Sequence, residues 1–102
     1  MKASSIHLLI NYSVRDDKSA DNEAMIKNLI GHFRNSLTEG ISHMVYKTGK
    51  RNYTHICYFS SELICDQVTN LPVFTQFLDN LERIADQEPI VADIEQMGYY
   101  IG

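Results

Sequence analysis

Tryptophan is missing from the 102 residues, and cysteine and proline occur only twice each. The two cysteines, Cys57 and Cys65, stand eight positions apart, a spacing that matches neither a zinc ligand pair nor a Cys-x-x-Cys redox site. A disulfide-built secreted scaffold is therefore excluded, and a reducing cytoplasm is the expected compartment. With five glycines and two prolines, no Gly- or Pro-rich tract divides the chain, which predicts one domain over residues 1–102. Basic residues are scarce as well: nine Lys and Arg against thirteen Asp and Glu leave a formal charge of −4. Binders of nucleic acid or anionic membrane carry the opposite surplus, so neither is expected as a partner. No aliphatic run exceeds three residues (Leu8, Leu9 and Ile10 form one), far below the roughly 18 that span a bilayer. Met1–Ser5 lead straight into a strand-like segment without a cleavable apolar stretch, so no secretory leader is expected.

What is present is a soluble-domain composition, 44% hydrophobic and 22% charged, with clear periodicity. From Ile6 to Val14 the residues alternate: Ile6, Leu8, Ile10, Tyr12 and Val14 share one face, and His7, Leu9, Asn11 and Ser13 the other. Period two predicts a strand. After the polar stretch Arg15–Lys18 the period becomes helical, with Met25, Leu29, Ile30, Phe33 and Leu37 on one stripe. Ser19 is the expected N-cap, Gly40 the expected terminator, and Gly31 a point of close approach to the sheet. Ile41–Lys47 and Tyr53–Phe59 read as a hairpin around a polar, Gly-containing connection. Ser60 or Ser61 caps a short helix through Val68. Pro72 then starts a second, whose stripe is Phe74, Phe77, Leu78, Leu81 and Ile84. After Pro89 a last strand is expected from Ile90 to about Ile101.

The order βαββαβ predicts an α+β, ferredoxin-like four-stranded antiparallel sheet with both helices on one face. The other face would present His7, Leu9 and Asn11, and from the third strand either His55, Cys57 and Phe59 or Ile56 and Tyr58. Neither set is a solvated charged surface, which predicts a homodimer closing two sheets face to face, a dimeric α/β barrel. The aromatic end of the chain, Gly98-Tyr99-Tyr100-Ile101, is the segment expected to reach the partner.

The stretch Phe59-Ser60-Ser61-Glu62-Leu63-Ile64-Cys65-Asp66-Gln67-Val68-Thr69-Asn70-Leu71-Pro72-Val73-Phe74 resembles the antibiotic-biosynthesis-monooxygenase-like families of the dimeric α/β-barrel superfamily. Those proteins carry an aromatic, commonly Trp, ending the third strand, then Ala-x-x-x-His and a Pro-His-Phe-like helix start. Phe59 stands for the aromatic, Ile64 for the alanine, and Pro72 and Phe74 keep their offsets. Val68 and Val73 replace the two histidines. Relatives that degrade haem would ask for a first-strand Asn, a Trp and a helix His; only Asn11 matches, with Phe59 and Leu78 in the other places. The resemblance thus implies a small monooxygenase-like protein that needs no cofactor and acts on or binds an aromatic, quinol-type molecule. The alternative is a non-catalytic ligand-binding or dimerisation module of the same fold.

The catalytic candidates are His7, Asn11 and His55, the histidines for proton transfer from a phenolic substrate. Asn11 would orient oxygen, the role that the resemblance implies for it. Phe59, Tyr12 and Tyr58 are the candidate substrate-binding rings, flat and apolar with, in tyrosine, a polar tip. His43 is a third strand histidine, but no local ligand pair exists among the three, so no metal is expected. Cys57 reads as a small core residue.

Overall fold

The computed structural model describes residues 5–102. Residues 1–4, on which the absence of a leader was read, lie outside it. Strand β1 (Ile6–Ser13) is followed by helix α1 (Ser19–Asn35) and the hairpin strands β2 (Ile41–Lys47) and β3 (Asn52–Phe59). Helices α2 (Glu62–Thr69) and α3 (Pro72–Ile84) and strand β4 (Ile90–Asp93) complete the order. The strands lie in the order β2-β3-β1-β4, every neighbouring pair antiparallel. This is the ferredoxin-like α+β arrangement expected from the alternating pattern.

Alternation divides the sheet cleanly. Ile10, Tyr12 and Val14 of the first segment join Tyr53, Cys57 and Phe59 of β3 in a core closed by Leu29, Phe33, Val68, Phe74, Phe77 and Leu81 from the helices. Each such side chain removed from water is worth about 1.5–3 kcal/mol, which is what holds α1 and α3 to this one face. The opposite face carries His7, Leu9 and Asn11 from β1 and Thr54, Ile56 and Tyr58 from β3, all partly exposed. Of the two alternatives for β3, the second therefore lies on the open face.

Local chemistry explains the helix ends. Ser61 caps α2 by accepting from the Ile64 amide, and Pro72 opens α3 at a position where its missing N–H is harmless. Ser19 does not cap α1; its hydroxyl donates instead to the Lys50 carbonyl, and Lys18 stands at the N-cap. The end of α1 also differs from expectation. Leu37, at φ 49°, takes the left-handed position in a closing turn in which Thr38 N–H donates to Phe33 and Leu37 N–H to Arg34. Gly40, at φ 79°, serves the entrance to β2, where an added Cβ would meet the Ser60 hydroxyl at 2.8 Å. A left-handed leucine with its side chain in water costs about 1–2 kcal/mol. Leu37→Gly is accordingly expected to raise stability by about 1 kcal/mol, read as a higher urea midpoint at unchanged slope.

Two further expectations are corrected. Nothing lies within 4 Å of where a Gly31 Cβ would be, so that glycine opens a surface groove and makes no close approach to the sheet. The last strand ends at Asp93, not near Ile101. Moving forward along β4 means moving back along β1, and Ile94 N–H already bonds the His7 carbonyl. Among the described residues β1 begins at Ile6, and Met97, Tyr99, Tyr100 and Ile101 are exposed. Among the described residues no helix is long and apolar enough to cross a membrane.

Candidate functional site

A line of polar groups crosses the otherwise apolar layer between sheet and helices. Its first member is Asn22 on α1, fully buried and within 3.0–3.2 Å of the Tyr12 hydroxyl through both amide atoms. Tyr12 Oη lies 2.8 Å from His55 Nε2. His55 Nδ1 lies 2.9 Å from His43 Nε2, and His43 Nδ1 lies 3.5 Å from Cys57 Sγ. Four elements supply the line: α1, β1, β3 and β2. Their register makes it possible, since β2 pairs with β3 so that Val45 faces His55 and His43 faces Cys57, which sets His43 diagonal to His55. Aromatic rings wall it: Phe77 packs on Tyr12 and His55, and Phe33 and Phe74 pack on His43.

Every member is satisfied in its neutral form, in either of two directions. Asn22 N–H can donate to Tyr12, Tyr12 O–H to His55, His55 Nδ1–H to His43, and His43 Nδ1–H to the Cys57 sulfur. Reversed, the thiol donates to His43 Nδ1, His43 to His55, His55 to Tyr12, and Tyr12 to the Asn22 carbonyl oxygen. Neutrality is enforced by the surroundings. Burial holds the His43 imidazole down to about 4. Burial, with His43 beside it, holds His55 down to about 3. Burial pushes the Tyr12 phenol far above its ordinary range against the opposing Asn22 hydrogen bond, and pushes the Cys57 thiol up to about 12. The two cysteines are both free thiols.

The line opens to the surface at one end. His43 lines an open cleft of about 290 Å³ with Ile30, Phe33, Arg34, Thr38 and Ile41. This cleft offers an apolar wall, one guanidinium, one hydroxyl and the edge of a neutral imidazole. Among the described residues, no three His, Cys, Asp or Glu side chains are gathered to hold a metal ion.

The sequence-derived candidates divide between the two faces of the sheet. Tyr12, His55 and Phe59 lie on the helix side, all buried. His7, Asn11 and Tyr58 lie on the open side, where His7 and Tyr58 rings sit 5.1 Å apart. The Asn11 amide nitrogen is shared among Asn52 Oδ1, the Tyr53 carbonyl and Thr54 Oγ1 at 2.9–3.2 Å. Within one chain, then, His55 does not meet His7 or Asn11. Its companions are His43 and Asn22, which the candidate set left out. Both left a signal. Asn22 interrupts the apolar stripe of α1 at the helical offset from Met25, Leu29 and Phe33, where a polar residue must find a buried partner.

No family model matches the sequence, and no curated protein matches it. Solved structures do. SnoaB, a cofactor-independent oxygenase from Streptomyces nogalater, superposes with a TM-score of 0.69 over 93% of this chain and 97% of its own, at 14% identity. A protein described as an antibiotic biosynthesis monooxygenase gives 0.78 over 91% and 99%, at 9% identity. Rv0793 from Mycobacterium tuberculosis gives 0.81 over 94% and 98%, at 13% identity. The chain thus has the fold of the antibiotic-biosynthesis-monooxygenase structures, as the resemblance around Phe59–Phe74 implied.

Proposed function

We propose that the chain is a small cytoplasmic monooxygenase-like protein that takes a phenolic, hydroquinone-type aromatic into the cleft beside His43 and lets it react with dioxygen without a bound cofactor. The observation that carries this reading is the buried Tyr12–His55–His43 line ending at that cleft. The contact of His43 Nδ1 with Cys57 at 3.5 Å is the longest link and the one a substrate hydroxyl would replace. Phe33, Ile30 and Ile41 would hold the ring, and Arg34 would stabilise the phenolate.

The substrate O–H donates to His43 Nδ1, and its proton moves there only as an electron leaves for O₂, because the buried pair stays neutral at rest. The resulting phenoxyl–superoxide pair closes a carbon–oxygen bond, and His43 returns the proton to the peroxide oxygen. Loss of water from the hydroperoxide leaves a quinone, so one phenol and one O₂ give one quinone and one H₂O. His43, held near 4, keeps its lone pair free at neutral pH.

The open face of the sheet also supports a homodimer. Leu9, Ile56, Ala92 and Tyr58 make an apolar open face, and Met97, Tyr99, Tyr100 and Ile101 are exposed beyond the last strand. In such a pair His7, Asn11 and Tyr58 would line the chamber between the sheets.

Oxygen uptake with a panel of benzo- and naphthohydroquinones tests the reading. His43→Ala and His55→Ala are expected to lower kcat on the order of 10²-fold, the usual scale for losing a positioned proton acceptor. Asn11→Ala should leave it unchanged, and the wild-type rate should stay level from pH 8 down to about 5. Unchanged rates in both histidine variants would sink the reaction. Loss in Asn11→Ala alone would move it to the chamber between the sheets, and tight binding without uptake would leave the binding-module alternative.

A further inference from the structure

Beside the histidine line stands a second arrangement that the oxygenation chemistry does not use. The rings of Tyr12 and Tyr53 stack with centroids 5.6 Å apart and planes 21° apart, both rings almost wholly buried. Each hydroxyl has its own base at hydrogen-bond distance: His55 Nε2 at 2.8 Å for Tyr12, and Glu23 Oε2 at 2.8 Å for Tyr53. Glu23 is solvent-exposed and also pairs with Lys47 at 2.9 Å. A core hydroxyl needs one partner to be satisfied, and a neutral amide or a backbone carbonyl would serve. Two stacked tyrosines each facing a proton acceptor, one inside and one at the surface, match a different need. A tyrosine that loses an electron becomes so acidic that it must lose its proton in the same event, and only a base already in place can take it.

We propose that Tyr12 and Tyr53 form a two-step electron relay between the buried histidine pair and the surface, each tyrosine handing its phenolic proton to a fixed base as it is oxidised. The oxidant is a phenoxyl radical arriving from solution at the cleft while both histidines are neutral and Tyr12 O–H donates to His55, so the relay does not depend on the oxygenase reading. In the first step this radical takes an electron from Tyr12 and becomes a phenolate, while the Tyr12 O–H bond breaks and its proton moves to His55. In the second, Tyr53 supplies an electron to the Tyr12 radical, the His55 proton returns to Tyr12, and the Tyr53 proton moves to Glu23. An external thiolate at the surface then gives an electron to Tyr53 as Glu23 returns the proton to its oxygen, and two thiyl radicals couple to a disulfide. The core is thereby cleared of an oxidising radical that would otherwise attack its own rings.

The relay can be run from outside without any aromatic substrate, using photogenerated tris(bipyridine)ruthenium(III) as oxidant. The exposed Tyr46, Tyr99 and Tyr100 and the partly buried Tyr58 are first replaced by Phe, so that only the stacked pair can give a tyrosyl signal. In that background, transient absorption and electron paramagnetic resonance should show a tyrosyl radical. Tyr53→Phe keeps the ring and the stack, yet it should slow oxidation of the remaining Tyr12 at least tenfold. Glu23→Gln should slow the Tyr53 step comparably and abolish its solvent deuterium isotope effect. A Tyr12 oxidation rate indifferent to Tyr53→Phe, or no tyrosyl signal at all, overturns the relay. Neither result touches the oxygen-uptake reading, which stands or falls on the hydroquinone assay.

Discussion

Between pH 7.5 and pH 5 the folded chain is expected to lose about 4 kcal/mol of stability, in a range where ordinary carboxylates stay ionised. The cause is the buried pair. His43 and His55 are held near 4 and near 3, whereas in the unfolded chain each titrates near 6.5. A group whose folded value is depressed lets the unfolded state bind more protons, so stability is whole above about 6.5 and drains as the pH falls toward the folded values. Each pH unit in that window costs about 1.4 kcal/mol per histidine, and both contribute until one is charged and repels the other. Urea midpoints measured every half unit from pH 8 to 4.5 check this. A flat profile above pH 5 would mean that the imidazoles are hydrated, and the closed polar line would be wrong.

Removing a whole ring from that line should do more damage than removing a hydroxyl from it. His55→Ala strands two groups at once, since Tyr12 loses its inward acceptor and His43 loses its Nε2 partner, and it leaves a void among Phe77, Tyr12 and His43. Unsatisfied buried groups cost about 1–3 kcal/mol apiece, and the void adds to that, so a total of about 3–5 kcal/mol is expected. Tyr12→Phe keeps the ring and opens no large void, but it strands the Asn22 amide and His55 Nε2, for an expected loss of about 2–3 kcal/mol. His55→Ala should also halve the slope of stability against pH, because one of the two depressed imidazoles is gone. Guanidinium unfolding at pH 7.5 and pH 5 measures both effects. A negligible loss in Tyr12→Phe beside a large one in His55→Ala would show that ring packing, and not the hydrogen-bonded line, holds this layer together.

The architecture was legible because each element declares itself through period. Ile41–Lys47 is bounded as the alternation predicts, and Pro72 and Ser61 do at their helices what their chemistry favours. The last strand is shorter than the strand propensity of Tyr99, Tyr100 and Ile101 suggests, because propensity alone does not make a ladder and pairing requires a neighbouring strand. The site was harder for a related reason. Alternation says that His7 and Asn11 share a face and that Tyr12 lies on the other, but not which face of β3 meets the helices. His55 was therefore grouped with residues across the sheet from it. The hairpin carried the missing information: paired positions in β2 and β3 sum to 100, as in His43 with Cys57 and Val45 with His55. Once the turn is centred on Lys50, the two histidines must be diagonal neighbours. No local pattern announces a contact of this kind, since it arises only when two strands are laid side by side.

The two-way satisfaction of the Asn22 side chain makes that amide a remote reporter. Whatever settles in the cleft must choose whether His43 gives or receives there, and the choice is transmitted ring by ring until it decides whether Asn22 donates to Tyr12 or accepts from it. Occupancy at one edge of the molecule would thus be written in the nuclear resonance of a carboxamide on a helix that shares the core with it, without any movement of backbone.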